Sequence, residues 1–207
     1  MKKGVEILNK DVVYNGFFRM EKQRLKHELF EGGWSGEMTR ELFVRGNCVA
    51  VILYDLERDN VVLIEQFRVG AVENPINTPW LIEIVAGITE EGESDGEVAK
   101  RETWEEAGCE LLDLMLINKF YLSPGGSSEQ ITLFCGIVDS KNVGGIHGVA
   151  DENEDILVRV VPFDDAYHMV FANKIDSAIP IIALQWLALH RRRIPEMQKV
   201  CKPSRSS

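Results

Sequence analysis

The sequence predicts an α/β protein led by a β-rich N-terminal region, and three stretches carry that prediction. Residues 48–68, CVAVILYDLERDNVVLIEQFR, read as a hairpin: two apolar runs around a charged turn at Asp59-Asn60. Residues 87–109, GITEEGESDGEVAKRETWEEAGC, read as a glycine turn, a helix and a closing glycine. Residues 164–193 hold two helical stretches, the second strongly apolar.

Taken in order, residues 1–46 contain short strands in VEILNKDVVYNGFFRM and QRLKHELF, then a turn and a further strand in GGWSGEMTRELFVRG. So small a region cannot build its own core, so it should pack on the rest or on a second subunit. Phe17 and Phe18 are adjacent and would point to opposite faces of a strand. One suits a core; the other is either further packing or a stacking surface for a base. After the hairpin, Arg68 ends its second strand, where side chains reach beyond a sheet. VGAVENPINTP is a loop, residues 80–86 a strand running into Gly87, and residues 110–122 a strand ending in SPGGSSE. That Gly-rich turn lacks the lysine and following helix of a P-loop. Residues 131–138 form another strand.

Residues 139–155, DSKNVGGIHGVADENED, form a long polar connection without secondary-structure period. Its acidic end is, alone, a solvated loop; beside a metal-binding helix it becomes a catalytic loop able to close over substrate. His147 receives no role, because Mg²⁺ disfavours imidazole. A strand at 156–161 precedes an amphipathic helix at 164–174, with Ala166, Val170 and Phe171 facing inward, and a core helix at 177–193. Arg191, Arg192 and Arg193 complement the negative end of that helix. The tail after Pro195 should fray.

At 207 residues, 45% hydrophobic and 27% charged, the chain can bury a core, as one domain with an appendage. A net charge of −10 argues against a nucleic-acid-binding surface. Cys48, Cys109, Cys135 and Cys201 show no metal-type spacing and read as reduced thiols of a cytoplasmic protein. The start, MKKGVEILNKD, lacks an apolar signal core, and the apolar run at 179–189 is short and interrupted by Pro180 and Gln185, so no membrane span is expected.

The chemistry concentrates in residues 87–109. Ser94 and Glu97 form a capping-box pattern that starts a helix at Asp95, and Gly108 suits the left-handed position past its end. At 100° per residue, Glu102, Glu105 and Glu106 share an arc of roughly 100°. Three carboxylates on one face repel one another. Either the face is simply solvated, or a hard cation such as Mg²⁺ or Mn²⁺ sits against it. Glu93 and Arg101 are placed to tie the loop to the helix as an ion pair.

Together, Gly87, Glu93, Arg101, Glu102, Glu105, Glu106 and Gly108 resemble the Nudix box, G-x5-E-x7-R-E-U-x-E-E-x-G-U, at all seven fixed positions. Thr103 and Cys109 stand where larger aliphatic residues are usual, a departure that concerns packing. Beyond the box, nearly the whole chain is similar to the bacterial ADP-ribose pyrophosphatase branch of that superfamily. Pro124, fifteen residues after Cys109, SPGGSSE, GIHGVADENED and IALQWL carry the likeness. The resemblance implies an α/β/α sandwich with a mixed sheet over residues 47–207. It also implies an N-terminal antiparallel β subdomain, residues 1–46, exchanged across a homodimer. By the same resemblance, the Ala86 carbonyl, Glu102 and Glu106 would hold two or three Mg²⁺ ions, with Mn²⁺ a substitute. Glu154 would complete the set on loop closure, and Glu152 would be the general base. Substrate contacts would come from Phe17, Phe18, Arg40, Glu41, Arg45, Arg68, Ile88, Ser123, Pro124, Gly125 and Glu129, some delivered by the partner subunit. The implied reaction is hydrolysis of ADP-ribose to AMP and ribose 5-phosphate, by water attack on the adenosyl-side phosphorus. A relative acting on GDP-mannose, flavin dinucleotide or a dinucleoside polyphosphate remains open, as does a nucleotide sensor without catalysis. The expected partner is thus a small nucleotide sugar, with neither nucleic acid nor membrane.

Overall fold

A computed structural model describes residues 3–73 and 78–201, with the backbone alone for Glu152, Lys199, Val200 and Cys201. The middle of the expected 69–79 loop therefore lies outside the described residues. The chain forms two compact units, Met1–Asn47 with Phe120–Ile131, and Cys48–Lys119 with Thr132–Ser207.

In the first unit, β1 (Val5–Asn15), β2 (Arg19–His27) and β3 (Met38–Val44) make an antiparallel sheet in that order. Register shifts at Ile7/Asn9 and Val12/Tyr14 break the β1 ladder, as bulges do. Glu21 is buried between Lys10 and Arg19, at 3.0 and 2.9 Å. Val5, Ile7, Val12, Val13 and Tyr14 stay exposed on β1. The strand pattern read from the sequence is therefore present, and so is the thin core its size implied.

The second unit is built on a sheet ordered β10-β11-β5-β4-β9-β8. These strands are β4 (Cys48–Asp55), β5 (Asn60–Phe67), β8 (Asp113–Tyr121), β9 (Gln130–Ile137), β10 (Gly145–His147) and β11 (Ile156–Pro162). The helices are α1 (Asp95–Ala107), α2 (Phe163–Phe171), α3 (Ala178–His190) and α4 (Ile194–Cys201). β4 is buried along its whole length, because both faces of the sheet are covered. Val49, Val51 and Leu53, with Val62 and Ile64, pack on Val98, Ala99 and Ala107 of α1. Alternate residues such as Ile52 and Leu63 point to the other face, where α3 lies on β4 and α2 on β5 and β11. The expected α/β/α layering is present.

The strand expected at 80–86 is two. β4 and β5 pair only through Leu53↔Val62, Tyr54↔Val61 and Asp55↔Asn60, then diverge. β6 (Trp80–Glu83) pairs with β5, and β7 (Val85–Ile88) pairs with β4. The chain changes partner at buried Ile84, so one extended segment closes the mouth of a V. Three further expectations change. The 139–155 connection contains β10, which pairs antiparallel with β11 and makes residues 148–155 a hairpin loop. Phe171 is 70% exposed at the end of α2, its ring edge-on to Tyr167. The chain after Pro195 continues as α4 to Cys201, because proline is tolerated in a first helical turn, and the rest of the tail expected to fray lies outside the described residues. Arg191 does more than face a helix end: it pairs with Asp59 and Asp164, at 3.3 and 3.1 Å, and lies over Phe163.

Buried Asp55 ties the β4–β5 turn to the loop after β9. It accepts hydrogen bonds from Ser140 N–H (2.9 Å) and Oγ (2.6 Å), Arg58 Nη1 (2.9 Å) and the Glu57 N–H (2.9 Å). Burial opposes its ionisation, but the bonds from Ser140 and Arg58 outweigh it and hold the carboxyl well below the usual range. The stabilisation is complete above the unfolded pKa of about 4 and is lost as pH falls below it. Asp55→Asn is expected to cost about 2 kcal/mol at pH 7. In urea unfolding, the gap between variant and wild type should narrow at pH 3; a constant gap would show that ionisation is not the source.

Candidate active site

α1 begins and ends as its sequence dictates. Ser94 Oγ accepts from Glu97 N–H while the Glu97 carboxylate accepts from Ser94 N–H at 2.8 Å, a closed capping box. Gly108 takes the left-handed conformation, φ 61°, and donates to the carbonyls of Thr103 and Trp104. Thr103 and Cys109 are buried despite their small size, and Thr103 Oγ1 donates to Ala99 O at 2.6 Å. Arg101 donates to both oxygens of Glu93 at 3.0 Å, the bidentate pairing the spacing implied, and also reaches Glu102 and Glu105 at 2.6 and 3.2 Å.

Glu106 lies beneath β7, 3% exposed, and accepts from the Ala86 N–H at 2.9 Å. The N–H and C=O of one strand residue point to the same side, so the Ala86 carbonyl also faces the Glu106 side. Glu102 lies over Gly87, where any side chain would overlap its carboxylate. Glu154 accepts from the Val149 N–H at 3.2 Å. Burial pushes the Glu106 carboxyl up to about 8, against the Ala86 N–H, with the charges of Glu102 and Glu154 adding to the rise and Arg68 opposing it. Burial also raises Glu102, with Arg101 opposing and Glu105 and Glu154 adding. Four groups expected at the site, Ala86, Glu102, Glu106 and Glu154, thus lie within mutual electrostatic reach, together with Arg68.

An all-oxygen donor set holding a buried, half-compensated carboxylate fits a hard divalent cation. Among the described residues, no three acidic, histidine or cysteine side chains are already grouped closely enough to hold one. Each carboxylate instead faces a donor of the protein: Arg101 for Glu102, Ala86 for Glu106, Val149 for Glu154. An ion would compete with those donors. Glu152 stands in a short 3-10 turn, Ala150–Glu152; its side chain lies outside the described residues.

Arg68 pairs with Glu83 at 2.7 Å, and Ile88 ends β7 partly exposed. The sequence reading missed Glu83 and also Gln66, whose buried Nε2 has no hydrogen-bond partner among the described residues. Counting back in twos from Arg68 puts Gln66 on its row, and Glu83, opposite Ile64, shares that face. That alternation was the available signal.

The remaining expected contacts belong to the first unit. Phe18 meets Phe17 and Phe43 edge-on, with centroids 4.7 and 5.0 Å away, and the Arg45 guanidinium lies 5.1 Å from its ring centre. Arg45 pairs with buried Glu129 at 3.1 Å. Ser123, Pro124 and Gly125 lie in an exposed turn in which Ser123 O accepts from the N–H groups of Gly126 and Ser127. That turn is fastened to β3 by Phe43 N–H to Gly126 O at 2.8 Å and Ser128 N–H to Phe43 O at 3.0 Å. Arg40 and Glu41 are exposed on β3, and among the described residues no hydrogen bond or ion pair joins them to this group.

Because folding raises the Glu106 pKa, its contribution is intact below about 4.3 and is lost as pH rises through about 8 in the ion-free chain. Glu106→Gln cannot ionise and escapes that loss. In chelator, the melting temperature of the variant minus that of wild type should grow from pH 5 to pH 9; a flat difference would contradict the buried, charge-crowded setting.

A model of the NUDIX domain matches residues 44–184. The chain is 46% identical over 197 residues to an ADP-ribose pyrophosphatase of Haemophilus influenzae, covering 94% of this chain and 91% of that one. It is 47% identical over 193 residues to an ADP-ribose pyrophosphatase of Escherichia coli K12, covering 93% and 92%. In structure it resembles a crystal structure of an ADP compounds hydrolase, with a TM-score of 0.67 at 23% identity over 90% of this chain and 96% of that one. No helix among the described residues is long and apolar enough to cross a membrane. Residues 44–184 include the capped helix, the V-shaped strand pair and the carboxylates they gather, and the chain belongs to the NUDIX domain family.

Proposed function

We propose that this protein hydrolyses the pyrophosphate of ADP-ribose to AMP and ribose 5-phosphate. The carboxylates of Glu102, Glu106 and Glu154, within electrostatic reach of one another, support the reaction class, and likeness to ADP-ribose pyrophosphatases over nine-tenths of the chain supports the substrate. Water attacks the adenosyl-side phosphorus, its oxygen enters AMP, and the bond to the bridging oxygen breaks so that ribose 5-phosphate leaves. Mg²⁺, two or three ions in this reading, would supply positive charge against the phosphates and lower the pKa of the attacking water. Glu102, Glu106, Glu154 and the Ala86 carbonyl would hold the ions. Glu152 takes the proton of the water. Arg68 faces the phosphates, trading its pairing with Glu83 for a bidentate grip on their oxygens.

In the first unit, Phe17, Phe18, Arg40, Glu41, Arg45 and Glu129 recognise the base and sugar, and the turn at Ser123, Pro124 and Gly125 borders them. Residues 1–46 act as a subdomain exchanged between two copies, appended to a hydrolase domain of 47–207. The bare apolar side chains of β1 support a second copy covering them. The setting is the cytoplasm.

The deciding assay is a panel of ADP-ribose, GDP-mannose, flavin dinucleotide and a dinucleoside polyphosphate with Mg²⁺, products resolved by chromatography. ADP-ribose should give AMP with the highest kcat/KM; preference for another member would reassign the substrate, and binding without hydrolysis would make the protein a sensor. Glu152→Gln should retain substrate binding while kcat falls by roughly 10²–10⁴; near-normal turnover would remove Glu152 from the mechanism. Light scattering should return twice the 23.4 kDa chain mass, and a monomer would end the exchange reading.

A further inference from the structure

His147 touches no carboxylate of the site among the described residues, yet it stands between the helix and the loop that carry them. It is the last residue of β10, paired with Ile156. Its ring rests on Gly108, where an added Cβ would collide with Cε1 and come within 3.0 Å of Nδ1 and 3.3 Å of Nε2. Nε2 is 3.1 Å from the Gly144 carbonyl, a second contact that holds the ring.

The next residue continues the linkage. Gly148 N–H donates to the Glu105 carbonyl at 3.1 Å, in the last turn of α1. Gly148 has φ 101°, and a Cβ there would lie 2.8 Å from Glu154 Cβ and 3.0 Å from Glu154 O. Glu154 closes the loop, its N–H donating to Val149 O at 3.3 Å and its carboxylate accepting from Val149 N–H. An unbroken set of contacts therefore runs from the C-terminal end of α1 through His147 and Gly148 to Glu154. The charge of Glu154 in turn acts on Glu106.

We propose that His147 is a positioning residue, a spacer seated on Gly108 that holds Glu154 in register with Glu102 and Glu106. The proposal rests on Glu154 being an ion ligand in the reaction proposed above. It gives Gly108 a second duty: besides capping α1, it leaves the surface on which the imidazole sits. Elements that orient ligating carboxylates change metal affinity without touching the metal.

The test is a double-mutant cycle read by Mg²⁺-dependent thermal stabilisation and, separately, by kcat for ADP-ribose. The proteins are wild type, His147→Ala, Glu154→Gln and the double variant. His147→Ala should raise the half-saturating Mg²⁺ concentration roughly tenfold. In the Glu154→Gln background the same change should add less than about twofold, because the residue it positions is gone. An equal factor in both backgrounds, or no change in either, would overturn the proposal. If Glu154→Gln alone leaves the titration unchanged, the ligand assignment fails first. Should His147→Ala not fold, His147→Gln carries the cycle with the same outcomes, since it removes the ring from Gly108.

Discussion

The mutual repulsion of carboxylates gathered out of water governs the second unit. Glu106 is almost fully buried with Glu102 and Glu154 acting on it, and Arg68 and a backbone N–H offset them. Burying like charges is costly unless a cation or a set of oriented donors compensates. Much of the local architecture reads as that compensation. Arg101 binds three carboxylates at once, Ala86 gives up a backbone donor, and the loop closes on its own acid through Val149.

Compensation of this kind needs a rigid frame. The frame is the V between β4 and β5, closed by β6 and β7, with the capped helix α1 laid across the apolar rows of Val49, Val51, Val62 and Ile64. Ladder pairing with β4 fixes Ala86 and Gly87, and a side chain at Gly87 would displace the carboxylate above it. The buried residues of the interior beneath α1 are aliphatic or small, with Phe134 packed at their margin, and such close packing transmits a displaced atom rather than absorbing it.

What could be read from the sequence was whatever is encoded locally. Both ends of α1 follow from Ser94, Glu97 and Gly108, and the β4–β5 hairpin follows from two apolar runs and a polar turn. The carboxylates on one face of α1 were legible because helical spacing and a fixed motif agree. The change of partner at Ile84 was not, since it depends on two neighbouring strands parting company. β10 is three residues long, too short for any periodicity, so His147 looked like loop surface. Pro195 resembled a stop although a first-turn proline is permitted, and Phe171 looked inward because helical phase says nothing about where a helix runs out of neighbours. Gln66 and Glu83 needed the sheet face on which Arg68 lies, a tertiary fact.

One bond links the orientation of a buried carboxylate to local opening of the backbone. The Ala86 amide is engaged by a carboxylate instead of a neighbouring strand, so its protection from solvent hydrogen exchange depends on where Glu106 points. A carboxylate that turns toward an ion leaves that proton exposed or transfers it to water. The exchange rate of that one backbone position in β7 therefore reports the orientation of Glu106, without substrate and without turnover.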